Sequence, residues 1–224
     1  MPTIDDTWIV VPLYNEATVV GQVIEDLHAH FAHVVCIDDG SQDTSIVAAQ
    51  EAGALVIRHA TNLGQGAALQ TGIDFVLEQT DADYLITFDS DGQHQVSDAV
   101  AMLDLARRED VAVVFGSRFL DERTRAGRAK RLVLKTAVWA TNQTTGLTLT
   151  DAHNGLRVIR RDAAARVDLR QNRMAHASEI VLQLGRTGLP WAEHPVHVLY
   201  TDYSRGKGQS LLNAVNILVD LVFR

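Results

Sequence analysis

A single cysteine, Cys36, among 224 residues excludes a disulfide scaffold and a cysteine-rich zinc site. It sits in the apolar run 33–37 and reads as a small core residue in a reducing compartment. No apolar run reaches about 18 residues, so no transmembrane helix is expected. A basic-then-apolar leader pattern is also missing, and the expectation is a protein kept in the cytosol that can still touch a membrane. The turn after the first apolar run carries Glu16 and no glycine, which removes a dinucleotide fingerprint, and no Gly-Lys-Ser/Thr phosphate loop occurs. Internal repeats and low-complexity segments are absent. Basic residues are scarce in the first half, where residues 1–115 hold only Arg58, Arg107 and Arg108.

What is present divides at the same place. Residues 1–115 carry 19 acids and a net charge of −16, whereas residues 116–224 carry 17 bases against nine acids, a net of +8. Twelve of the bases fall between Arg118 and Arg170. Halves of opposite sign imply two jobs, one of them handling anions. The overall charge of −8 excludes a general nucleic-acid binder, which needs a dominant basic field. With 46% hydrophobic and 21% charged residues the chain is an ordinary globular one, of a length that suits one α/β domain, alone or with an appendage.

Short apolar runs at 8–13, 33–37, 54–57, 84–88 and 111–115 alternate with helical patterns at 17–31, 44–52, 67–79 and 96–108. Strand and helix in alternation predict a doubly wound, mostly parallel sheet with helices on both faces. Beyond it come a charged loop (116–127), a basic helix (128–142), a strand at 156–159, a helix at 174–184, a strand at 191–200 and an apolar terminal helix at 211–223. Ligands of such sheets bind beyond the carboxyl ends of the strands. There the sequence places Pro12-Leu-Tyr14-Asn15-Glu16, Asp38-Asp39-Gly40-Ser41, Asn62-Leu-Gly64-Gln-Gly66, Asp89-Ser-Asp91-Gly-Gln93-His94 and Gly116-Ser-Arg118.

Asp89 and Asp91 are two apart at a strand end, so both carboxylates can reach one cation, with Gln93 as a third oxygen donor. Hard oxygen ligands suit Mg²⁺ or Mn²⁺ shared with substrate phosphates. A plain turn whose acids cap the next helix is the competing reading. Asp38-Asp39 fits either a base- or ribose-binding carboxylate or a phospho-accepting signalling domain, and no suitably placed Ser/Thr and Lys supports the second.

Taken together, and in this order and spacing, these clusters resemble glycosyltransferase family 2. The match is best to its dolichol- and polyprenyl-phosphate sugar transferases, through Gly116-Ser117-Arg118, the helix-opening Arg131, Asp151-Ala-His-Asn154-Gly155-Leu-Arg157 and Tyr203-Ser-Arg205-Gly206-Lys207-Gly208. The resemblance covers essentially the whole chain. It implies a GT-A fold, with residues 1–200 as catalytic domain, divided into a nucleotide-sugar half (1–115) and an acceptor half (116–200), and residues 201–224 as acceptor loop and membrane-facing or oligomerising helix. It implies that Pro12, Tyr14, Glu16 and Asp39 hold the nucleotide together with Asp89 and Asp91, and that Asp89, Asp91 and Gln93 hold the metal. Arg118, Arg131, Arg205 and Lys207 are implied at the lipid phosphate, with Asp91, Arg118 and Arg131 as the catalytic set. Gln65 stands where a Lys is frequent and Leu134 where a Ser often follows the arginine, so contacts there stay open.

The expected reaction is a metal-dependent, inverting transfer of one sugar from a UDP- or GDP-sugar to a membrane polyprenyl phosphate, for cell-envelope glycan synthesis. An anionic acceptor needs no strong base, only positive charge to bring two phosphates together. Helix 130–142 has an interfacial composition, and helix 211–223, about 20 Å long, is too short to cross a bilayer. Both fit peripheral attachment at the cytosolic membrane face, and the second equally fits packing on its own core or a homo-oligomer. A small membrane-protein partner is compatible with the lack of a spanning helix. Two other readings stay open from the sequence. One is a transferase to a glycan or soluble hydroxyl, with Glu179 as base; the other is a nucleotide-sugar-binding regulator without turnover. Of nine histidines only His94, beside the metal motif, is singled out.

Overall fold

The computed structural model describes residues 3–120, 147–151, 153–171 and 175–199. Its elements are β1 (Ile4–Leu13), α1 (Val20–His28), β2 (Phe31–Asp38), α2 (Ser45–Glu51), β3 (Leu55–Arg58), α3 (Gln65–Gln79), β4 (Tyr84–Thr87), α4 (Val96–Glu109), β5 (Val113–Ser117), β6 (Arg157–Arg160), α5 (Arg161–Ala164), α6 (Ala175–Arg186) and β7 (Trp191–Pro195). The seven strands form one sheet in the order β3-β2-β1-β4-β6-β5-β7. All neighbours pair parallel except β6, which runs antiparallel between β4 and β5. The predicted helices 128–142 and 211–223 lie outside the described residues, and with them Arg131, Arg205 and Lys207.

A parallel sheet covered on both faces needs strands that are apolar on both faces, and β1 is fully buried from Ile9 to Leu13. Alternation then sorts the side chains. Ile9, Val11 and Leu13 face α1, α2 and α4, joined by Cys36, Phe88 and Met102. Val10, Val35 and Ile37 face α3, α5 and α6, joined by Ile73, Val76 and Ile180. Each fully buried Ile or Leu contributes roughly 1.5–3 kcal/mol by leaving water. Gly72 lets α3 lie flush on β1, since a Cβ there would come within 2.2 Å of Val10 Cγ1.

Several boundaries differ from the periodicity: β1 begins at Ile4 rather than 8, and α1 ends at His28 rather than 31, where Phe31 opens β2. α1 starts at Val20 rather than 17, because Asn15 adopts φ +54° and the N–H groups of Val19 and Val20 both donate to Glu16 O, closing a turn first. β7 stops at Pro195 rather than running to 200. From there Val196 donates to Ser117 O, His197 to the Asp98 carboxylate and Leu199 to Gln93 O. The chain leaves β1 for β2 and β3 on one side and reaches β4 on the other. The sheet therefore has its switch point between β1 and β4, where a crevice opens at the carboxyl ends.

Candidate active site

The crevice has two flanks. On the β1–β2–β3 flank, Pro12 is buried opposite Ile37 and Tyr14 is 43% exposed. The turn that follows β1 is stitched to the turn that follows β2: Asn15 N–H donates to Ser41 Oγ (3.0 Å), Glu16 N–H to Ser45 Oγ (2.8 Å) and Gln42 N–H to Asn15 Oδ1 (2.9 Å). The buried Asp38 carboxylate accepts the Ser41 N–H, and the exposed Arg58 guanidinium stands 3.7 Å from it. Asp39, also buried, accepts the N–H groups of Leu63 (2.8 Å) and Gly64 (2.7 Å) and meets His59 Nδ1 at 2.8 Å. Asp39 thus anchors the loop that opens α3.

At the end of β4, Asp89 and Asp91 have different surroundings. Asp89 meets His94 Nε2 at 3.0 Å and accepts from Gln65 Nε2 at 3.2 Å. Burial drives its carboxyl upward, but the His94 hydrogen bond and charge, then Arg157 and His176, outweigh that and hold it below the usual carboxylate range. Gly155 packs directly on it, since a Cβ there would lie 2.3 Å from Asp89 Oδ2. Asp91 accepts only from Gln93, through its N–H (3.0 Å) and Nε2 (2.8 Å), among the described residues. Burial, then the Asp89 charge, and further off Glu16, push the Asp91 carboxyl up. Asp91 therefore carries charge that its own surroundings do not balance.

That imbalance is the test of whether a divalent cation fits. Among the described residues no three His, Cys, Asp or Glu side chains form a protein-only cage. Mg²⁺ is ordinarily held by one or two carboxylates plus substrate phosphates, and Asp91 with Asp89 supplies that number. The residues present fit such an ion. Gln93 donates to Asp91 through its N–H and Nε2, which orients that carboxylate and leaves the amide oxygen as an acceptor.

On the β5–β7 flank, Arg118 is already paired. Arg118 forks onto Asp151, Nε to Oδ2 at 2.6 Å and an Nη2 to Oδ1 at 2.8 Å, and its backbone N–H donates to the same carboxylate. Opposed by burial, the Arg118 charge and hydrogen bonds hold the Asp151 carboxyl down. Glu193 of β7 accepts the N–H groups of Thr150 and Asp151 and so fixes this loop. Arg157 lies buried in β6, its guanidinium drawn down to about 10 by burial against the opposing pull of Asp89 and Asp151. It donates from Nη1 to Gly155 O at 3.3 Å.

The structure thus gathers Pro12, Tyr14, Glu16, Asp39, Asp89, Asp91, Gln93 and Arg118 at one edge of the sheet. Of these, Arg118 has a carboxylate of its own chain as partner, and Asp39 is committed to a loop. Glu179 accepts the N–H groups of Arg170 and Gln171, so it too holds a loop. Sequence reasoning passed over His59, Glu193 and the role of Gly155. His59 was visible as the first residue after a strand, and Glu193 as the one charge inside an apolar strand; the Gly155 contact needed the antiparallel β6. A separate cavity of about 640 Å³, at the amino end of β4, is lined by Tyr84, Arg160 and Arg161. Arg161 there donates to the carbonyls of Val76, Leu77 and Ala82 and Arg160 pairs with Asp162 and Asp110, so these cations serve the fold.

The family model described as glycosyl transferase family 2 matches residues 8–168. An uncharacterised protein of Methanocaldococcus jannaschii is 32% identical over 98% of this chain and 92% of its own. The UDP-N-acetylglucosamine–dolichyl-phosphate N-acetylglucosaminyltransferase of Methanococcus voltae is 26% identical over 96% of this chain and 94% of its own. Among solved structures, glucosyl-3-phosphoglycerate synthase of Mycobacterium tuberculosis, in complex with Mg²⁺ and UDP, superposes with a TM-score of 0.67 at 18% identity, over 96% of this chain and 78% of that one.

Proposed function

The chain belongs to glycosyltransferase family 2 and has its GT-A fold, and from that premise we propose that it moves a single sugar from a nucleoside-diphosphate sugar to a polyprenyl phosphate, with inversion, at the cytosolic face of a membrane. The observation that carries the reading is the unlike pair at the switch point. Asp89 is clamped by His94, Gln65 and Gly155, while Asp91 is left with charge to share. A full-length relative that acts on a dolichyl phosphate supports the acceptor class.

In this reading Asp91 and Asp89 hold Mg²⁺ or Mn²⁺, which stabilises the charge developing on the departing diphosphate. Gln93 keeps Asp91 in register, and Pro12, Tyr14, Glu16 and Asp39 form the nucleoside end. Residues 1–115 serve the donor and 116–200 the acceptor. Arg118, with Arg131, Arg205 and Lys207 outside the described residues, provides the positive field for the lipid phosphate. Glu179 accepts two backbone N–H groups, which favours an acceptor that arrives already anionic over a hydroxyl needing that carboxylate as base. Helices 130–142 and 211–223 are the membrane-facing elements. The test is incubation with labelled UDP- and GDP-sugars, Mg²⁺ or Mn²⁺ and a short polyprenyl phosphate. Lipid-linked product that disappears in Asp91→Ala supports the proposal; transfer only to soluble hydroxyl acceptors overturns it.

A further inference from the structure

Asp39 is a carboxylate with almost no acceptor capacity left. Its Oδ1 takes the Leu63 N–H and faces His59 Nδ1, both at 2.8 Å, and its Oδ2 takes the Gly64 N–H at 2.7 Å. An ionised carboxylate only accepts, so His59 carries its hydrogen on Nδ1. The other ring nitrogen meets Thr71 Oγ1 at 2.9 Å, which locks the ring. A carboxylate has about four acceptor positions. Both on Oδ1 are filled, one on Oδ2 is filled, and a single one remains, on a side chain that is 4% exposed.

Asp39 also sits at the right end of the crevice to meet a base. The loop it anchors continues from Gly64 to Gln65, which touches Asp89, so one loop spans from the end of β2 to the end of β4. With a diphosphate at Asp89 and Asp91, a nucleoside can extend toward β2 or toward β5. The β5 direction holds the Arg118–Asp151 pair and the buried Arg157, and the β2 direction holds acceptor groups suited to base N–H and ribose hydroxyls.

Resting on the donor site proposed above, we propose that His59 is a specificity-determining residue that acts through Asp39. By filling one acceptor position it leaves the carboxylate able to take one base N–H. That selects a base with a single imide N–H, in uridine or thymidine diphosphate, over guanosine diphosphate. Guanine offers N1–H and N2–H side by side, one for each carboxylate oxygen, and Oδ1 has no position for either. One of the two donors then enters a buried site without a partner, which is unfavourable.

Titration calorimetry on the full chain with Mn²⁺ and UDP, dTDP, GDP or N3-methyl-UDP tests this. UDP or dTDP is expected to bind at least tenfold tighter than GDP, and UDP at least tenfold tighter than its N3-methyl analogue. The UDP-to-dTDP comparison separates the two sources of the same imide. His59→Ala should narrow the UDP-to-GDP ratio to within about threefold, whereas His59→Asn, which keeps an amide N–H toward Asp39, should preserve it. GDP binding as tightly as UDP, N3-methyl-UDP matching UDP, or a folded His59→Ala with an unchanged ratio each overturns the inference. If His59→Ala does not fold, the wild-type ratios and the methylated analogue decide. Failure of every nucleotide to bind overturns the donor site itself, a result distinct from a wrong base preference.

Discussion

The two flanks of the crevice solve the same electrostatic problem in opposite ways. On the proposed donor flank, carboxylates are held mainly by hydrogen bonds: Asp39 by two amide N–H groups and His59, Asp38 by the Ser41 N–H with the Arg58 guanidinium 3.7 Å away, Asp91 by Gln93. On the proposed acceptor flank, Arg118 forks onto the Asp151 carboxylate, and Arg157 lies buried within the electrostatic reach of Asp89 and Asp151. Hydrogen bonds orient a carboxylate without cancelling its charge, whereas an ion pair does both. The proposed donor flank is therefore left net negative and suited to a cation, whereas on the other flank Arg118 is balanced by Asp151. The asymmetry of −16 against +8 along the chain becomes, in space, the carboxylates Asp39, Asp89 and Asp91 on one side of the crevice and the Arg118–Asp151 pair on the other.

This contrast can be broken on either side. The largest effect is expected on the donor side, where Asp91→Ala should lower kcat/KM by about 10³-fold or more, as for loss of a principal electrostatic stabiliser. Its melting temperature should hold or rise, because the Asp89 and Glu16 charges lose a neighbour of like sign; a large drop in stability would show that Asp91 is structural. Next, on the acceptor side, Asp151→Asn should do the reverse. It should cost about 3 kcal/mol of stability in a urea titration, since breaking a buried pair strands its partner. The Asp151 carboxyl is held down, so its stabilisation is complete above the unfolded value near pH ~3.9 and fades as pH falls through its lower folded value. The difference between wild type and Asp151→Asn should accordingly shrink below about pH 4, and a gap unchanged at pH 2 would mean the pair is not the source.

Smaller is the expected effect of Gly155→Ala, which drives a methyl into the Asp89 carboxylate that joins the flanks. A displacement of this order costs turnover about 10²-fold, and single-turnover measurements with the enzyme saturated in donor should show the loss in the chemical step. Smallest is the response of Cys36, buried next to Asp38 with its thiol pushed up to about 12 by burial and then by that carboxylate. Iodoacetamide at pH 8 should leave it unmodified in the native protein, and rapid alkylation would reveal a donor-side core that opens.

Much of this was legible in the chain. The 8–13, 33–37 and 84–88 runs are continuous and apolar because their strands are buried on both faces, so their parallel direction followed from the run pattern, while the strand order did not. The strand-end clusters were legible for the same reason. β6 was located, but its antiparallel direction was not, because a four-residue strand reads alike in either direction. That direction brings Gly155 and Arg157 toward Asp89, so these two neighbours of the carboxylate were hidden with it, whereas His94 was not. Arg118 was visible as a cation at a strand end, whereas its bidentate partner, 33 residues on, depends on the sheet order.

One bond described with the fold reaches further. Leu199 N–H donates to Gln93 O at 2.9 Å, so the chain passes the metal loop at Leu199 before continuing to Arg205 and Lys207. An extended chain covers at most about 3.6 Å per residue, which tethers the Arg205 Cα within roughly 22 Å of the Leu199 Cα in any conformation. Severing that bond, for example by a proline at 199, would lengthen the tether from the donor site without altering a single residue of it. In the proposed reading, Arg205 and Lys207 are thus on a leash whose post is Gln93, the residue that orients Asp91.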